Sequence, residues 1–272
     1  MPSITTISID KLARLVGTPH CPTLIDVRTD DDYSRNPHLI PSSMRRPYAD
    51  PSAWVGEFAG RSAIVICQKG AKLSEGAAAW LRHAGVSADA LEHGFEGWRA
   101  AGLPLVTTTR MPQLDSQGRT VWVTRARPKI DRIACPWLIR RFVDPRAVFL
   151  FVAPSEVEGV AERFSATPFD VEGVFWSHRG DNCTFDVMVE EFGLATEPLL
   201  RLAAIVRGAD TGRMDVAPQA AGLLAASLGL SRMYAEDLAQ LEAGMTLYDA
   251  FYRWCRDATE ETHTWHSKKP GA

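Results

Sequence analysis

The sequence predicts an α/β domain, a parallel sheet covered by helices, followed by an α-rich α+β domain. Three observations predict it. Over residues 1–106, short β-branched runs alternate with helix-forming stretches, the order that builds a parallel sheet under helices. At 107–119 the segment TTTRMPQLDSQGR has little apolar periodicity and holds Pro112 and Gly118, which marks an exposed connector. Over 120–259 two strand-length runs sit in a chain that otherwise reads as helix, and 260–272 reads as a frayed tail.

In the first half, TLIDV (23–27) and AIVIC (63–67) have the length and the Ile/Val content of buried parallel strands. SEGAAAWLRHA (74–84) is rich in helix formers and stops at Gly85, a suitable cap. In the second half, VWVT (121–124) and AVFLFV (147–152) read as strands. Helices are predicted over 130–143, 184–192, 198–207, 217–228, 234–243 and 247–256, with Gly193, Gly208, Gly229 and Gly244 near four of the ends.

The 272 residues suffice for two domains, each with its own core. A net charge of -3 gives no global attraction to nucleic acid or an anionic membrane, so neither is expected as a partner. The five cysteines are scattered, odd in number and without a C-x-x-C pair, which fits reduced thiols in the cytoplasm. No uncharged apolar run approaches the roughly eighteen residues of a membrane span, and Asp10 and Lys11 interrupt any export signal.

Cys67 falls where a strand ends and a helix begins, the place where parallel sheets expose backbone N–H groups and a positive helix end. The segment Cys67, Gln68, Lys69, Gly70, Ala71, Lys72 combines a thiol, a glycine that permits tight curvature and two ammonium groups. Positive potential stabilises the thiolate, which is the nucleophile. A lone cysteine at a strand end is more often a small core hydrophobe; the loop around Cys67 reverses that balance.

LIDVR (24–28), HLIPSS (38–43), CQKGAK (67–72) and GFEGWRAAGLP (94–104) occur in the order found in rhodaneses, and residues 5–106 resemble a single-domain rhodanese. The resemblance implies a sulfurtransferase in which Cys67 is the catalytic residue that becomes persulfidated. The backbone of Gln68, Lys69, Gly70, Ala71 and Lys72 then cradles the bound anion. It implies a thiosulfate-like sulfur donor, a thiol or cyanide acceptor, and no cofactor for the transfer. Asp26 and Arg28 match the motif after the first core strand and read as a structural ion pair. Gln68 stands where the family usually has a basic residue. The six residues from Cys67 to Lys72 match the short loop of sulfurtransferases rather than the longer loop of related phosphatases.

The second half holds a basic cluster, RARPKIDRIACPWLIRR (125–141). On a helix over 130–143, Ala134, Trp137, Leu138 and Phe142 make an apolar stripe into which Arg141 points, and a buried Arg needs an anionic partner. Two readings of Cys135-Pro136 stand open. Either Pro136 opens the helix with Cys135 as its cap, or the helix starts at Asp131 and Cys135 is an inert core thiol. His178, Cys183 and Asp186 have the chemistry of metal ligands, with Thr184 as a candidate cap for the next helix. Arg207 and Asp210 either join that site or form a turn after a helix.

WVTRARPKIDRIACPWLIRRF, PFDVEGVFWSHRGDNCTFD, IVRGADT and APQAAGLLAASLGLSR closely resemble the C-terminal region of ChrB-type chromate resistance proteins, over about 120–258. The resemblance implies a role in chromate stress, by sensing, binding or detoxification, and leaves open a chromate- or metal-sensing protein in which the rhodanese half is a redox or regulatory accessory. Paired guanidinium groups such as Arg132 and Arg141 would suit that tetrahedral dianion.

Overall fold

The computed structural model describes residues 5–261. Its first half runs β1 (Thr6–Ile7), α1 (Ile9–Leu15), β2 (Thr23–Asp26), α2 (Asp30–Arg35), β3 (His38–Leu39), β4 (Ser43–Arg45), β5 (Ser62–Ile66), α3 (Lys72–His83), β6 (Ser87–Leu91), α4 (Gly94–Ala100) and β7 (Val106–Thr107). Strands β1, β6, β5, β2 and β4 form one parallel sheet in that order, with Ile25 beside Val65 and Val65 beside Ala90. The central strand is β5, so the loop that begins at Cys67 leaves the middle of the sheet.

Both faces of β5 are buried, as a parallel strand between helices requires. Ala63 and Val65 pack with Trp54, Phe58, Ala77 and Leu81 on one side. Ile64 and Ile66 join Leu12, Phe95 and Trp98 on the other. That second cluster runs on without a break into Trp122, Trp137, Phe185 and Tyr248 of the second half, so the two halves share a core instead of each closing its own.

The second half runs β8 (Val121–Arg125), α5 (Asp131–Leu138), β9 (Val148–Val152), α6 (Val157–Phe164), β10 (Thr167–Pro168), α7 (Thr184–Glu191), α8 (Glu197–Asp210), α9 (Ala220–Met233) and α10 (Asp237–Asp257). Strands β10, β8 and β9 form a small parallel sheet. Trp137 of α5 is fully buried, with its ring 5.4 to 6.4 Å from those of Phe142, Phe185, Tyr248 and Tyr252.

Several expectations are corrected. Helix α5 begins at Asp131 and carries Pro136 in its interior, and residues Ile139–Val143 continue it as a π turn. Cys135 is therefore a fully buried core thiol and not a cap. Cys183, not Thr184, caps α7. The two helices expected over 234–243 and 247–256 are one helix, α10. Gly244 lies inside it because a Cβ there would come 2.5 Å from Ile133 Cγ2; it is a contact point, not a stop. Gly208 likewise lies within α8, against Ala220 and Arg213. Gly229 lies within α9, and no contact explains it. Gly193, with φ +74°, does follow the end of α7.

The segment 107–119 is no free connector. Thr107 N–H donates to Phe192 O at 3.0 Å, the Thr108 hydroxyl donates to Pro37 O, and Arg110 pairs with Glu191 at 3.0 Å. Ser42 N–H also donates to Phe142 O at 2.6 Å, a second tie between the halves. From residue 262 on, the predicted tail lies outside the described residues. No helix among the described residues is long and apolar enough to cross a membrane.

Candidate functional site

The Cys67 loop is built by two glycines pressed together. Gly70 (φ +67°) and Gly94 (φ +57°) adopt conformations that L side chains rarely take. A Cβ on Gly70 would stand 2.6 Å from Gly94 N, and one on Gly94 would overlap the carbonyl oxygen of Cys67. The bare backbones let Phe95 N–H donate to Cys67 O at 2.9 Å and Glu96 N–H donate to Gln68 O at 3.0 Å. The Gln68 amide also donates to Glu96 at 3.1 Å. CQKGAK and GFEGW thus form one unit.

Within it, the Cys67 sulfur sits at the head of α3, where the first helical N–H groups lack intrahelical partners and the helix dipole is positive. Ala71 N–H donates to Sγ at 3.3 Å. The Ser74 hydroxyl, fully buried, lies 3.1 Å from Sγ and 3.1 Å from Ala71 O, so its proton can turn to either. Lys69 and Lys72 are exposed at the rim and supply positive potential. Cys67 itself is 4% exposed, so a donor reaches it only through the mouth of the loop. Sequence reasoning missed Ser74; its place in the first turn after the cysteine loop was the available signal.

Asp26 and Arg28 brace this region. They form a buried pair with Nη2–Oδ2 2.7 Å. Arg28 also donates to His38 O at 2.6 Å and stacks 3.7 Å above the Phe95 ring, which links β2 to the start of α4.

A second constellation lies in the C-terminal half. His178 Nε2 stands 3.5 Å from Asp131 Oδ2, 3.4 Å from Asp170 Oδ1 and 3.3 Å from Asp210 Oδ2. Asp131 opens α5 and is wholly buried, Asp170 and His178 lie on the loop after β10, and Asp210 ends α8. The carboxylates of Asp131 and Asp170 hold the imidazole proton and raise the pKa of His178 to about 10. Burial, followed by repulsion from Asp131 and Asp170, raises Asp210 to about 7. Thr184 locks two carboxylates in place: its N–H donates to Asp131 Oδ2 at 2.6 Å and its hydroxyl to Asp170 Oδ1 at 2.9 Å.

Of the residues singled out in the second half, His178 and Asp210 meet here. Cys183 and Asp186 do not surround His178; they close a capping box on α7, and Asp186 pairs with Arg207 at 2.6 Å. Burial drives the thiols of Cys135 and Cys183 well above the ordinary range, and Asp131 adds to both shifts. Arg132 and Arg141 do not act as a pair. Arg132 turns to Asp170 at 3.3 Å, whereas Arg141 grips Asp249 through two bonds of 2.8 Å. Asp170 and Asp249 went unnoticed in the sequence, and Asp131 was read only as a helix start, because their partners lie far along the chain.

The fold and these two sites define the class: residues 8–101 match the rhodanese-like domain and residues 122–255 match the C-terminal domain of ChrB. The chain is a rhodanese-like domain followed by a ChrB C-terminal domain. Protein ChrB of Cupriavidus metallidurans is 36% identical over 137 residues, which cover 50% of this chain and 40% of that protein. The chain thus spans about two-fifths of the length of this curated relative. Among solved structures, a rhodanese-related protein from Thermoplasma volcanium is similar at 22% identity and TM-score 0.33, covering 37% of this chain and 96% of that one. A rhodanese-like domain protein from Staphylococcus aureus is similar at 23% identity and TM-score 0.31, covering 35% and 91%.

Proposed function

We propose that the rhodanese-like domain is a sulfurtransferase and that Cys67 carries the sulfur. The observation that carries this reading is the position of Cys67 Sγ, facing Ala71 N–H at 3.3 Å and the Ser74 hydroxyl at 3.1 Å at the head of α3. Both donors favour a sulfur anion, as thiolate or as persulfide. The thiolate attacks the outer sulfur of a thiosulfate-like donor; the new S–S bond forms as sulfite leaves with the electron pair of the old one. A thiol or cyanide then attacks the terminal sulfur, and Cys67 departs as thiolate. The cycle is ping-pong and needs no cofactor. Free cysteines throughout the described residues suit a cytoplasmic setting for this chemistry. Thiosulfate:cyanide activity in the wild type and in Cys67→Ser tests the reading: loss in the variant supports it, and equal rates refute it.

The C-terminal half couples this chemistry to chromate resistance. The observation favouring an oxyanion role is the cleft between the halves, lined by Ser42, Cys21, Arg61, Arg140, Arg141 and Arg146. Arg140 and Arg141 are already paired with Glu242 and Asp249, so Arg61 and Arg146 are the guanidinium groups there that would meet a tetrahedral dianion. Calorimetry with chromate tests this; no heat of binding discards it.

A further inference from the structure

Three carboxylates converge on one nitrogen in the C-terminal half, more than its single proton can serve. His178 Nε2 bears at most one hydrogen, which serves one direction, yet oxygens of Asp131, Asp170 and Asp210 stand 3.3 to 3.5 Å from it. A charge-assisted N–H···O bond is shorter, about 2.7–2.9 Å. Asp131 is 0% exposed; its Oδ2 faces His178 and accepts from Thr184 N–H, while its other oxygen, Oδ1, has no hydrogen-bond partner. A buried carboxylate oxygen left unpaired is costly and requires a reason.

The charge balance points the same way. Arg125 and Arg132 hold Asp170 from outside through Oδ2, at 3.4 and 3.3 Å. Among the described residues, His178 is the only cationic side chain within ion-pair distance of Asp131 and Asp210. Asp210 also stands in the last turn of α8, where the helix dipole is negative and a carboxylate is disfavoured. Asp131 and Asp210 thus share a single cation. Oxygens of Asp131 and Asp170 and a ring nitrogen of His178 lie within 4.8 Å of one another. A divalent ion with nitrogen and oxygen ligands at about 2.0–2.2 Å, in tetrahedral geometry, has ligand-to-ligand edges of about 3.4 Å. The three distances from His178 Nε2, 3.3, 3.4 and 3.5 Å, equal such edges, and of the three carboxylates it is Asp131 and Asp170 that also lie close to each other.

We infer that Asp131, Asp170 and His178 form a binding site for a divalent transition-metal ion, with Asp210 beside the imidazole. Mixed carboxylate and imidazole ligands suit zinc or manganese. Thr184 and the two arginines orient the ligating carboxylates, the supporting role that outer partners play in metal sites. His178 is half-exposed, which leaves the ion an entry path. Cys135 and Cys183 stay behind as protonated thiols. The inference does not depend on sulfur transfer by Cys67.

The test uses the full chain after chelator treatment, with Zn²⁺ as the probe in titration calorimetry. The expected result is one saturable site per chain with a dissociation constant below about 1 µM, and a rise in thermal midpoint on adding the ion. His178→Ala and Asp170→Asn should each weaken binding by at least about tenfold and abolish that rise, with circular dichroism unchanged. Zinc held elsewhere by thiols would bind both variants as it binds the wild type. That result, or the absence of a saturable site in the wild type, overturns the inference.

Discussion

The carbonyl oxygen of Cys67 and the α-carbon of Gly94 stand so close that a β-carbon on residue 94 would overlap the oxygen. The same glycine has φ +57°, so its bareness is required twice. Gly94→Ala should destabilise the protein by about 2–4 kcal/mol, the sum of left-handed strain and backbone displacement. It should also lower sulfur transfer, because the displaced carbonyl belongs to the nucleophile. Chemical denaturation and the thiosulfate:cyanide assay check this; wild-type values for Gly94→Ala in both would show that the two loops are independent.

Ser74 is the one buried side-chain hydroxyl beside the Cys67 sulfur among the described residues. Ser74→Ala removes a hydrogen bond to a charged sulfur, worth about 1.5 kcal/mol, and should slow persulfide formation about tenfold. Stopped-flow measurement of the first half-reaction isolates that step. Lys72→Ala, a change at the exposed rim, should weaken dependence on donor charge and lose less at high salt than at low salt.

Gly244 of α10 lies against Ile133 of α5, with 2.5 Å from a built Cβ to Ile133 Cγ2. Helix propensity alone favours Gly244→Ala by about 1 kcal/mol. Overpacking against a stiff β-branched neighbour costs about 1–3 kcal/mol, so the net effect should be destabilising. In an Ile133→Ala background the sign should reverse. Thermal unfolding of the four proteins in this double-mutant cycle decides it, and additive effects would mean that the two residues do not touch.

Alkaline pH should unfold the protein sooner than its carboxylates alone would suggest. Burial raises Cys135 and Cys183 well above 9.0 and Cys255 to about 11. It also raises Tyr248 well above 10.0. Each group has a higher pKa folded than unfolded, so its contribution is complete below the unfolded value and is lost as pH rises towards the folded one. His178, raised from 6.5 to about 10, acts in the same direction over a lower window. The thermal midpoint of metal-free protein should therefore decline from neutral pH and fall more steeply above about pH 9. A midpoint that rises over that range would contradict the burial of these thiols.

The parts of the fold that were legible in the sequence are the local ones. TLIDV and AIVIC carry enough Ile and Val to declare strands, and β2 and β5 fall there. The Cys67 loop is contiguous, so its thiol, glycine and lysines were visible together. What was not legible depends on partners distant in the chain. Gly208 and Gly244 read as helix ends because a glycine's propensity is local information, whereas Ala220 and Ile133, which explain them, are not neighbours in sequence. The acidic cluster failed in the same way. His178 was singled out with Cys183 and Asp186 because they are near in sequence, but the fold gives it Asp131, Asp170 and Asp210. The shared core was hidden too, since nothing local shows that Trp98 and Trp137 belong to one cluster.

The central claim is that residue 67 holds sulfane sulfur as a stabilised anion. Mass spectrometry of the intact protein after incubation with thiosulfate, with thiols blocked before digestion, measures this directly. The account predicts one added sulfur, mapped to Cys67, absent from Cys67→Ser and lost on adding cyanide. An unmodified Cys67 in folded protein, with Cys67→Ser indistinguishable from the wild type, would contradict it.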